Sequence, residues 1–265
     1  FLIRSVAVFR ASGRSVPMFT DKHLSWNIAW AQEMVATARA MGFPMMAGSS
    51  LPYSFSLKPP LPPGAQIDEA VMVYYGGSEI YGFHSLEAMQ RFVETRAGGE
   101  RGIRAITTYK GEGVWAALEQ DAWSRELFEA ALATCINLTP GDMRANCRNA
   151  QADDLHGSPT AFVLEHADGL RTTHVLLQGH IEDFGLAVRQ RDGALHTNRW
   201  EAGDARDFYG HFATLNTNIQ EMFLTGQPAA PIERTLLTTM TTASCLHALA
   251  TPGVRIETPH LLVAY

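Results

Sequence analysis

The segment from residue 15 to residue 52 constrains the fold most strongly, because it reads as a strand, a polar turn, a helix and a second strand. Residues 16–19 and 43–47 are short apolar runs typical of buried parallel strands. Between them, from Trp26, apolar residues recur at helical spacing, with Ser25 as the predicted N-cap and Gly42 as the predicted C-cap. Two strands joined by a helix pair in parallel, so the segment predicts the edge of a parallel α/β sheet.

Polar residues follow each of these two strands. Asp21, Lys22 and His23 come after the first strand, and Ser49 and Ser50 come after the second. Ligands of parallel sheets bind outside the carboxyl ends of the strands, so these residues are candidates for a binding site. Beside apolar walls, Lys22 could hold an oxyanion, or it could be a solvated turn lysine. The two serines could hydrogen-bond a ligand or only start the loop.

The composition excludes several classes of protein. The chain has 265 residues, is 46% hydrophobic and carries a formal net charge of −6, with basic residues scattered along it. These features argue against nucleic acid as a partner. No apolar run reaches the length of a membrane span, so no membrane partner is expected. The three cysteines show no CxxC spacing, which indicates reduced thiols and suits a cytoplasmic protein, although export stays open.

The beginning of the sequence predicts that part of the fold precedes the first residue. The chain starts with Phe1, and residues 2–12 already read as an amphipathic helix that ends at Gly13. No G-x-G-x-x-G motif follows a strand anywhere in the sequence. We therefore expect the native N-terminus, and any dinucleotide fingerprint, to lie upstream. We also expect the 265-residue chain alone to bind a dinucleotide poorly.

A proline-rich stretch divides the chain. Residues 51–65 hold five of the thirteen prolines and predict a linker between a first unit, 1–50, and a second unit, 66–265. A strong hairpin signal lies at Asp168–Gly169. The second unit reads as strands at 67–75, 102–110, 161–166, 170–178, 184–191 and 261–265, helices at 81–96, 114–134 (one or two), 209–224 and 231–249, and a surface loop at 136–158. This order predicts an α+β domain with helices on one face of its sheet.

Several histidines and acids could carry chemistry. His84 and Glu87 are three residues apart on one predicted helix face, which fits a base with its orienting carboxylate. They could instead be metal ligands together with His174, His180 or Asp183, or His84 could simply pack at the helix start. His180 and Asp183 could line a pocket on the sheet or lie in a solvated turn. Because no tight ligand motif is present, we expect no metal site.

Two of these motifs resemble one enzyme family. Asp21-Lys22-His23 stands where the glucose–fructose oxidoreductase / inositol dehydrogenase / MocA family has a Glu-Lys-Pro turn, and residues 76–87 resemble its pattern GGG.l.D.G.H.iD, with Ile80 at the first Asp position. Residues 216–234 resemble the family's late helix and turn. The resemblance implies the C-terminal portion of a Rossmann-like nucleotide-binding domain followed by an α+β domain with a large, mostly antiparallel open sheet.

The resemblance also implies a function. It implies hydride transfer between NAD or NADP, bound mainly by residues outside this chain, and a sugar, polyol or related small hydroxylated substrate. His84 would take the hydroxyl proton and Lys22 would stabilise the alkoxide. Lys22, Ser49 and Ser50 would contact the cofactor, and the substrate would be bound by Asp21, His23, Glu87, His180 and Asp183. A non-catalytic homologue for binding or assembly, and NAD-dependent glycoside cleavage, are the alternatives.

The resemblance and the strand pattern together predict a homo-oligomer. The predicted strands at 161–166, 170–178 and 184–191 carry apolar residues at alternate positions, and helices are expected on only one face of the sheet. An apolar second face of this size is rarely left bare. Self-association through the open sheet is therefore expected, unless the 136–158 segment or residues outside this chain cover it.

Overall fold

The first unit of the fold is a small parallel α/β layer. The computed structural model describes residues 2–149, 157–201 and 210–265. The first unit comprises helix α1 (Leu2–Ser12), strand β1 (Met18–Asp21), helix α2 (Ile28–Met41) and strand β2 (Met45–Gly48). Strands β1 and β2 pair in parallel, as the sequence pattern predicts, so both carboxyl ends lie at the same edge.

The ends of α2 are defined by two residues. Asn27 is the N-cap, because its side chain accepts a hydrogen bond from the backbone N–H of Trp30. The prediction of Ser25 for this role is wrong: the Ser25 hydroxyl accepts from the N–H of Asn27, one step before the helix. Gly42 ends the helix in the left-handed conformation, at φ 66°, as predicted.

The second unit is built on an eight-stranded sheet in the order β10-β5-β6-β7-β4-β8-β9-β3. Only the β4–β7 pair is parallel; the remaining pairs are antiparallel. The predicted hairpin at Asp168–Gly169 joins β6 to β7. The strands are β3 (Phe55–Ser56), β4 (Ile67–Tyr74), β5 (Ile103–Lys110), β6 (Thr160–His166), β7 (Arg171–Leu176), β8 (Phe184–Gln190), β9 (Leu195–Glu201) and β10 (Arg255–Glu257).

Six further helices accompany this sheet within the described ranges. They are α3 (Ile80–Val93), α4 (Glu112–Glu119), α5 (Arg125–Leu132), α6 (Met143–Asn149), α7 (Gly210–Thr225) and α8 (Ile232–Ala248). No helix of the described chain combines the length and the apolar character needed to cross a membrane.

The secondary structure predicted from the sequence differs from the structure in the following three places. Residues 143–149 of the expected surface loop form α6, while residues 150–156 lie outside the described part of the chain. The expected strand at 261–265 is wrong: Pro259–Leu261 is a 3₁₀ turn, and the edge strand β10 precedes it. Strand β9 was not predicted, because its sequence LHTNRWE is too polar to read as a strand. It forms because β8 offers it an antiparallel edge.

Helix α3 covers one face of the large sheet. On the same face, helix α8 connects the sheet to the first unit. Met72 and Tyr74 of β4 pack against Met89 and Phe92 of α3. Helix α8 contacts α3 on one side and α2 and β2 on the other, so it packs between the two units. The boundary predicted at residues 51–65 stays a prediction, and the contacts of α8 cross it.

The opposite face is covered by α4 and α5, with a contribution from α6. Val71 and Val73 of β4 lie in one buried cluster with Trp123 and Leu127. Helix α5 approaches so closely that a Cβ on Gly185 of β8 would lie 2.4 Å from the carbonyl oxygen of Ala131. The expectation of a bare second face is therefore wrong, which removes the argument from the strand pattern; the homo-oligomer that the resemblance implies stays a prediction. Within the described chain, α4, α5 and residues 143–147 cover this face.

We expect this covering layer to be essential for stability. Trp123 is 0% exposed, whereas Trp26 is 77% exposed, so the two tryptophans form a matched pair. Trp123→Ala should lower the free energy of unfolding by about 3–5 kcal/mol through loss of buried area and creation of a cavity. Trp26→Ala should change it by less than about 1 kcal/mol. Urea unfolding of both variants measures this, and equal effects would contradict a covered face.

Candidate functional site

Lys22 is held in an unusual backbone conformation at the carboxyl end of β1. Its φ of 61° is left-handed, a conformation that non-glycine residues rarely adopt. The Lys22 N–H donates to the carbonyl of Gly48 at 3.0 Å, and the Gly48 N–H donates back to the carbonyl of Lys22 at 3.1 Å. This pair of bonds joins the ends of β1 and β2 and fixes where the lysine side chain begins. The Lys22 ammonium pairs with the Asp21 carboxylate at 2.6 Å.

Gly48 is required because a buried carboxylate lies against it. At its φ of 117°, a Cβ would lie 2.4 Å from Oε2 of Glu87 and 2.8 Å from Oγ1 of Thr235. Glu87 itself is buried on α3 and accepts hydrogen bonds from the Thr238 hydroxyl of α8 and, at 3.4 Å, from the N–H of Ser49. Burial raises the pKa of the Glu87 carboxyl above its ordinary value. The loop after β2 therefore packs directly against the side chain of Glu87.

Ser49 links this loop to His84. Its Oγ lies 2.6 Å from Nδ1 of His84 on α3, and it accepts a hydrogen bond from the N–H of Leu51 at 2.9 Å. The Ser49 residue is 1% exposed, so water does not compete for these contacts. This contact therefore joins the loop after β2 to the first turns of α3.

A cavity of about 320 Å³ opens in front of Lys22 and His84. Its walls are largely aromatic, and helix α7 closes one side. The residues that line it are Lys22, Ser50, Leu51, Tyr75, Ile80, Tyr81, His84, Phe184, His211 and Phe212. The tyrosine rings of Tyr75 and Tyr81 lie 4.8 Å apart, and Tyr81 stacks parallel to Phe184 at 6.1 Å. The cavity is therefore a narrow aromatic cleft with a lysine and histidines at its polar side.

His84 in the cleft and His23 behind it are neutral at pH 7. Burial is the main reason that the pKa of His84 falls to about 4, and the charge of Lys22 lowers it further. Burial also lowers the pKa of His23, whose ring lies 3.9 Å from that of Phe83. Burial raises the pKa of Tyr75 to about 12, so its hydroxyl keeps its proton.

The structure brings together part of the predicted site. Lys22, Ser50 and His84 line the cavity. Asp21 lies beside it as the ion-pair partner of Lys22, and His23 packs behind it on Phe83. The roles predicted for these five residues stay predictions.

Two residues predicted to touch a ligand act behind the cavity wall. Ser49, predicted to contact the cofactor, is buried and bonded to His84. Glu87, predicted to orient His84 directly or to bind substrate, points to the Gly48 loop and to α8. Its carboxylate reaches His84 only through Ser49. Because residues at i and i+3 share a helix face without having to touch, their spacing alone did not decide between these arrangements.

The remaining acid and histidine candidates lie elsewhere. Asp183 accepts hydrogen bonds from the N–H groups of Ile136 and Asn137, both at 2.8 Å, and so holds the segment after α5. His180 lies 3.1 Å from the side chain of Asn146. Neither residue lines this cavity, and their predicted role in binding substrate stays a prediction. Residues 136–146 pack against the turn that carries them.

His174, a possible metal ligand in the sequence, is buried under α3. Its Nδ1 lies 2.6 Å from the Ser85 hydroxyl, and burial lowers its pKa to about 3. Among the residues that the structure describes, no group of three or more His, Cys, Asp or Glu side chains could hold a metal ion.

Helix α7 supplies cavity residues that sequence reasoning missed. His211 and Phe212 stand at the start of this helix and line the cavity. The helix itself was predicted at 209–224, but no motif distinguishes His211 from an ordinary surface histidine. Nδ1 of His211 is buried and has no hydrogen-bond partner among the residues that the structure describes, a property that only the structure reveals.

Solved structures that share this fold include dehydrogenases. No protein-family model and no curated protein matches the sequence. GenD2 from gentamicin A biosynthesis, solved with NAD, is 14% identical at a TM-score of 0.61, and the alignment covers 96% of this chain and 74% of GenD2. A myo-inositol dehydrogenase from Corynebacterium glutamicum is 11% identical at a TM-score of 0.58, covering 97% and 78%.

A third solved structure extends this comparison. The WlbA dehydrogenase from Bordetella pertussis, solved with NADH and UDP-GlcNAcA, is 10% identical at a TM-score of 0.55, covering 97% of this chain and 76% of WlbA. The chain therefore shares the fold of these three solved structures. This confirms the fold that the resemblance implies and the predicted fold class: a small parallel sheet followed by a large, mostly antiparallel one.

The close contact between Gly48 and Glu87 can be tested by comparing Gly48 with a glycine that has no such contact. Gly48→Ala should lower the free energy of unfolding by about 3 kcal/mol or more, because backbone strain adds to a collision with Glu87. Gly64→Ala should cost only about 1–2 kcal/mol, because Gly64 has a φ of 85° and nothing within 4 Å of a Cβ. Urea unfolding decides this, and equal losses would mean that the Glu87 contact contributes little.

The low pKa of His84 predicts a specific pH dependence of stability. Between its folded pKa of about 4 and the unfolded value of 6.5, the unfolded state binds more protons, so stability falls as pH falls through this range. From pH 7 to pH 5 this one histidine should account for a loss of about 2 kcal/mol. His84→Gln should therefore lose less stability than the wild type over that range in urea unfolding. A parallel loss in both proteins would show that His84 ionises normally.

Proposed function

We propose that this protein is an NAD(P)-dependent oxidoreductase that transfers hydride to or from a sugar, polyol or related small hydroxylated substrate. One observation carries the proposal. Lys22 at the carboxyl end of a parallel strand and His84 on the first helix of the second unit, which belong to two separate motifs, line the same cavity. The likeness of the whole fold to dehydrogenases supports it.

The chain's own residues would bind and orient the substrate oxygen. The Lys22 ammonium and the neutral His84 imidazole hold the oxygen on which negative charge develops when a carbinol and a carbonyl interconvert. Tyr75, Tyr81 and Phe184 form a wall that accepts a ring and limits the access of water. The fixed backbone of Lys22 sets where its side chain begins, and the ion pair with Asp21 holds its ammonium.

The residues present fit one end of a nicotinamide cofactor. Lys22 and Ser50 lie at the carboxyl edge of the β1–β2 pair and at the mouth of the cavity, where such a cofactor is held in parallel sheets. The bound cofactor would supply the hydride acceptor or donor. Ser49 is too deeply buried to reach it. The sequence has no glycine-rich loop for the pyrophosphate, so these residues would hold only the nicotinamide end.

The substrate class follows the cavity and the solved neighbours. A myo-inositol dehydrogenase from Lactobacillus casei was solved with NAD(H) and myo-inositol, and WlbA with UDP-GlcNAcA. Both ligands carry a hydroxylated ring. A volume of about 320 Å³ between aromatic side chains suits one such ring.

A non-catalytic homologue is the second candidate, and Ile80 favours it. Ile80 lines the cavity at the position where the family pattern has an Asp, so that position supplies no carboxylate to assist proton transfer. In this alternative the cleft would bind a small molecule without converting it. Activity separates the two candidates.

The test is a nicotinamide assay with a matched lysine control. The protein from its complete open reading frame would be incubated with NAD or NADP and a panel of sugars, polyols and uronates, and reduced nicotinamide followed by absorbance. Lys22→Met should lower kcat/KM about 10²-fold or more. Lys110→Met, which alters an exposed lysine at the end of β5, should leave it unchanged. Equal activity of both variants, or no turnover of any substrate on the panel, would contradict the proposal.

A further inference from the structure

We propose that Ser49 is a positioning residue that holds His84 in the tautomer with its proton on Nε2. The cavity then presents an N–H donor next to Lys22, built to receive an acceptor oxygen such as the carbonyl oxygen of an oxidised substrate. This differs from the proton-accepting role that the family resemblance implies for His84. The tautomer follows from the contacts of Ser49 alone, and only its use in hydride transfer rests on the proposed function.

The first step identifies the hydrogen-bond partners of the buried Ser49 hydroxyl. A serine hydroxyl has one proton to donate and two lone pairs that accept. One lone pair of Ser49 Oγ accepts from the N–H of Leu51 at 2.9 Å. The hydroxyl proton needs an acceptor because Ser49 is 1% exposed and water does not reach it. Among the described residues, the other recorded partner of Oγ is Nδ1 of His84, at 2.6 Å.

The second step follows from the chemistry of imidazole. If the Ser49 hydroxyl donates to Nδ1, then Nδ1 carries no proton. A neutral imidazole carries one proton, which is then on Nε2. His84 is neutral in this site, since burial and the charge of Lys22 lower its pKa to about 4. In the opposite tautomer the Nδ1–H would donate to the second lone pair of Oγ, and the serine proton would be left without an acceptor among the described residues.

The third step concerns what the cavity offers to a ligand. His84 and Lys22 both line it, and both now present N–H groups. Ile80, at the position where the family pattern has a carboxylate, offers no acceptor for the Nε2 proton. Two N–H donors on one side of a cavity favour a ligand oxygen that accepts hydrogen bonds, such as a carbonyl oxygen or an oxyanion. Ser49 thus determines the polarity of the site without touching the ligand.

The tautomer is measured directly by NMR of the ¹⁵N-labelled protein at pH 7. Two-bond and three-bond ¹H–¹⁵N correlations distinguish protonated from unprotonated ring nitrogens, and the His84 signals are identified by their absence in His84→Gln. We expect Nδ1 of His84 to resonate as an unprotonated nitrogen and Nε2 as a protonated one. The wild-type spectrum alone can overturn the proposal: it would do so if it showed a protonated Nδ1 or equal populations of both tautomers.

Variants of Ser49 test the cause. Ser49→Ala should shift His84 toward a mixture of tautomers, and Ser49→Thr, which keeps a hydroxyl, should restore the wild-type spectrum. His174, which has its own 2.6 Å contact with Ser85, is the internal reference and should not change in either variant. An unchanged His84 spectrum in a folded Ser49→Ala would show that Ser49 does not set the tautomer. If a variant fails to fold, the wild-type spectrum still decides.

The outcomes separate this inference from the proposed function. A protein that turns over no substrate but shows the expected tautomer supports the role of Ser49 and overturns only the oxidoreductase. An active enzyme with Nδ1 protonated supports the oxidoreductase and overturns the role of Ser49.

Discussion

The contact between the buried Glu87 carboxylate and the Gly48–Ser49 backbone is the interaction on which the cleft depends. A buried carboxylate is costly unless hydrogen bonds compensate it, and here Thr238 and the N–H of Ser49 supply them. The same contact leaves no room for a side chain at residue 48. Helix α3, helix α8 and the loop after β2 are therefore held at a single point.

Both side chains to which we assign a function, Lys22 and His84, are connected to this point. Lys22 is joined to Gly48 by two backbone hydrogen bonds, and His84 is joined to Ser49 by one side-chain contact. The other side of the cleft is formed by aromatic residues and by the start of α7. The polar side of the cavity is thus rigidly defined, while its aromatic side is set by packing.

The fold was more predictable from the sequence than the site. Periodicity and glycine positions located β1, α2, β2 and the hairpin at Asp168–Gly169, because these signals are local. Strand β9 and helix α6 were missed, because partners elsewhere in the chain stabilise them. Lys22 and His84 were found through motifs. The bond from Ser49 to His84 was not, since it joins residues 35 positions apart that carry no shared pattern.

The position of α8 has a consequence for synthesis of the chain. Thr235 of α8 donates a hydrogen bond to the carbonyl of Ala47, 188 residues earlier, and Thr238 completes the bonding of Glu87. Contacts between residues so distant in sequence form late, because the intervening chain must be ordered first. On the ribosome, Lys22 emerges long before Ile232–Ala248 of α8, and its cleft can close only after that helix has followed. A nascent chain stalled before α8 would therefore hold the cleft's residues without the cleft.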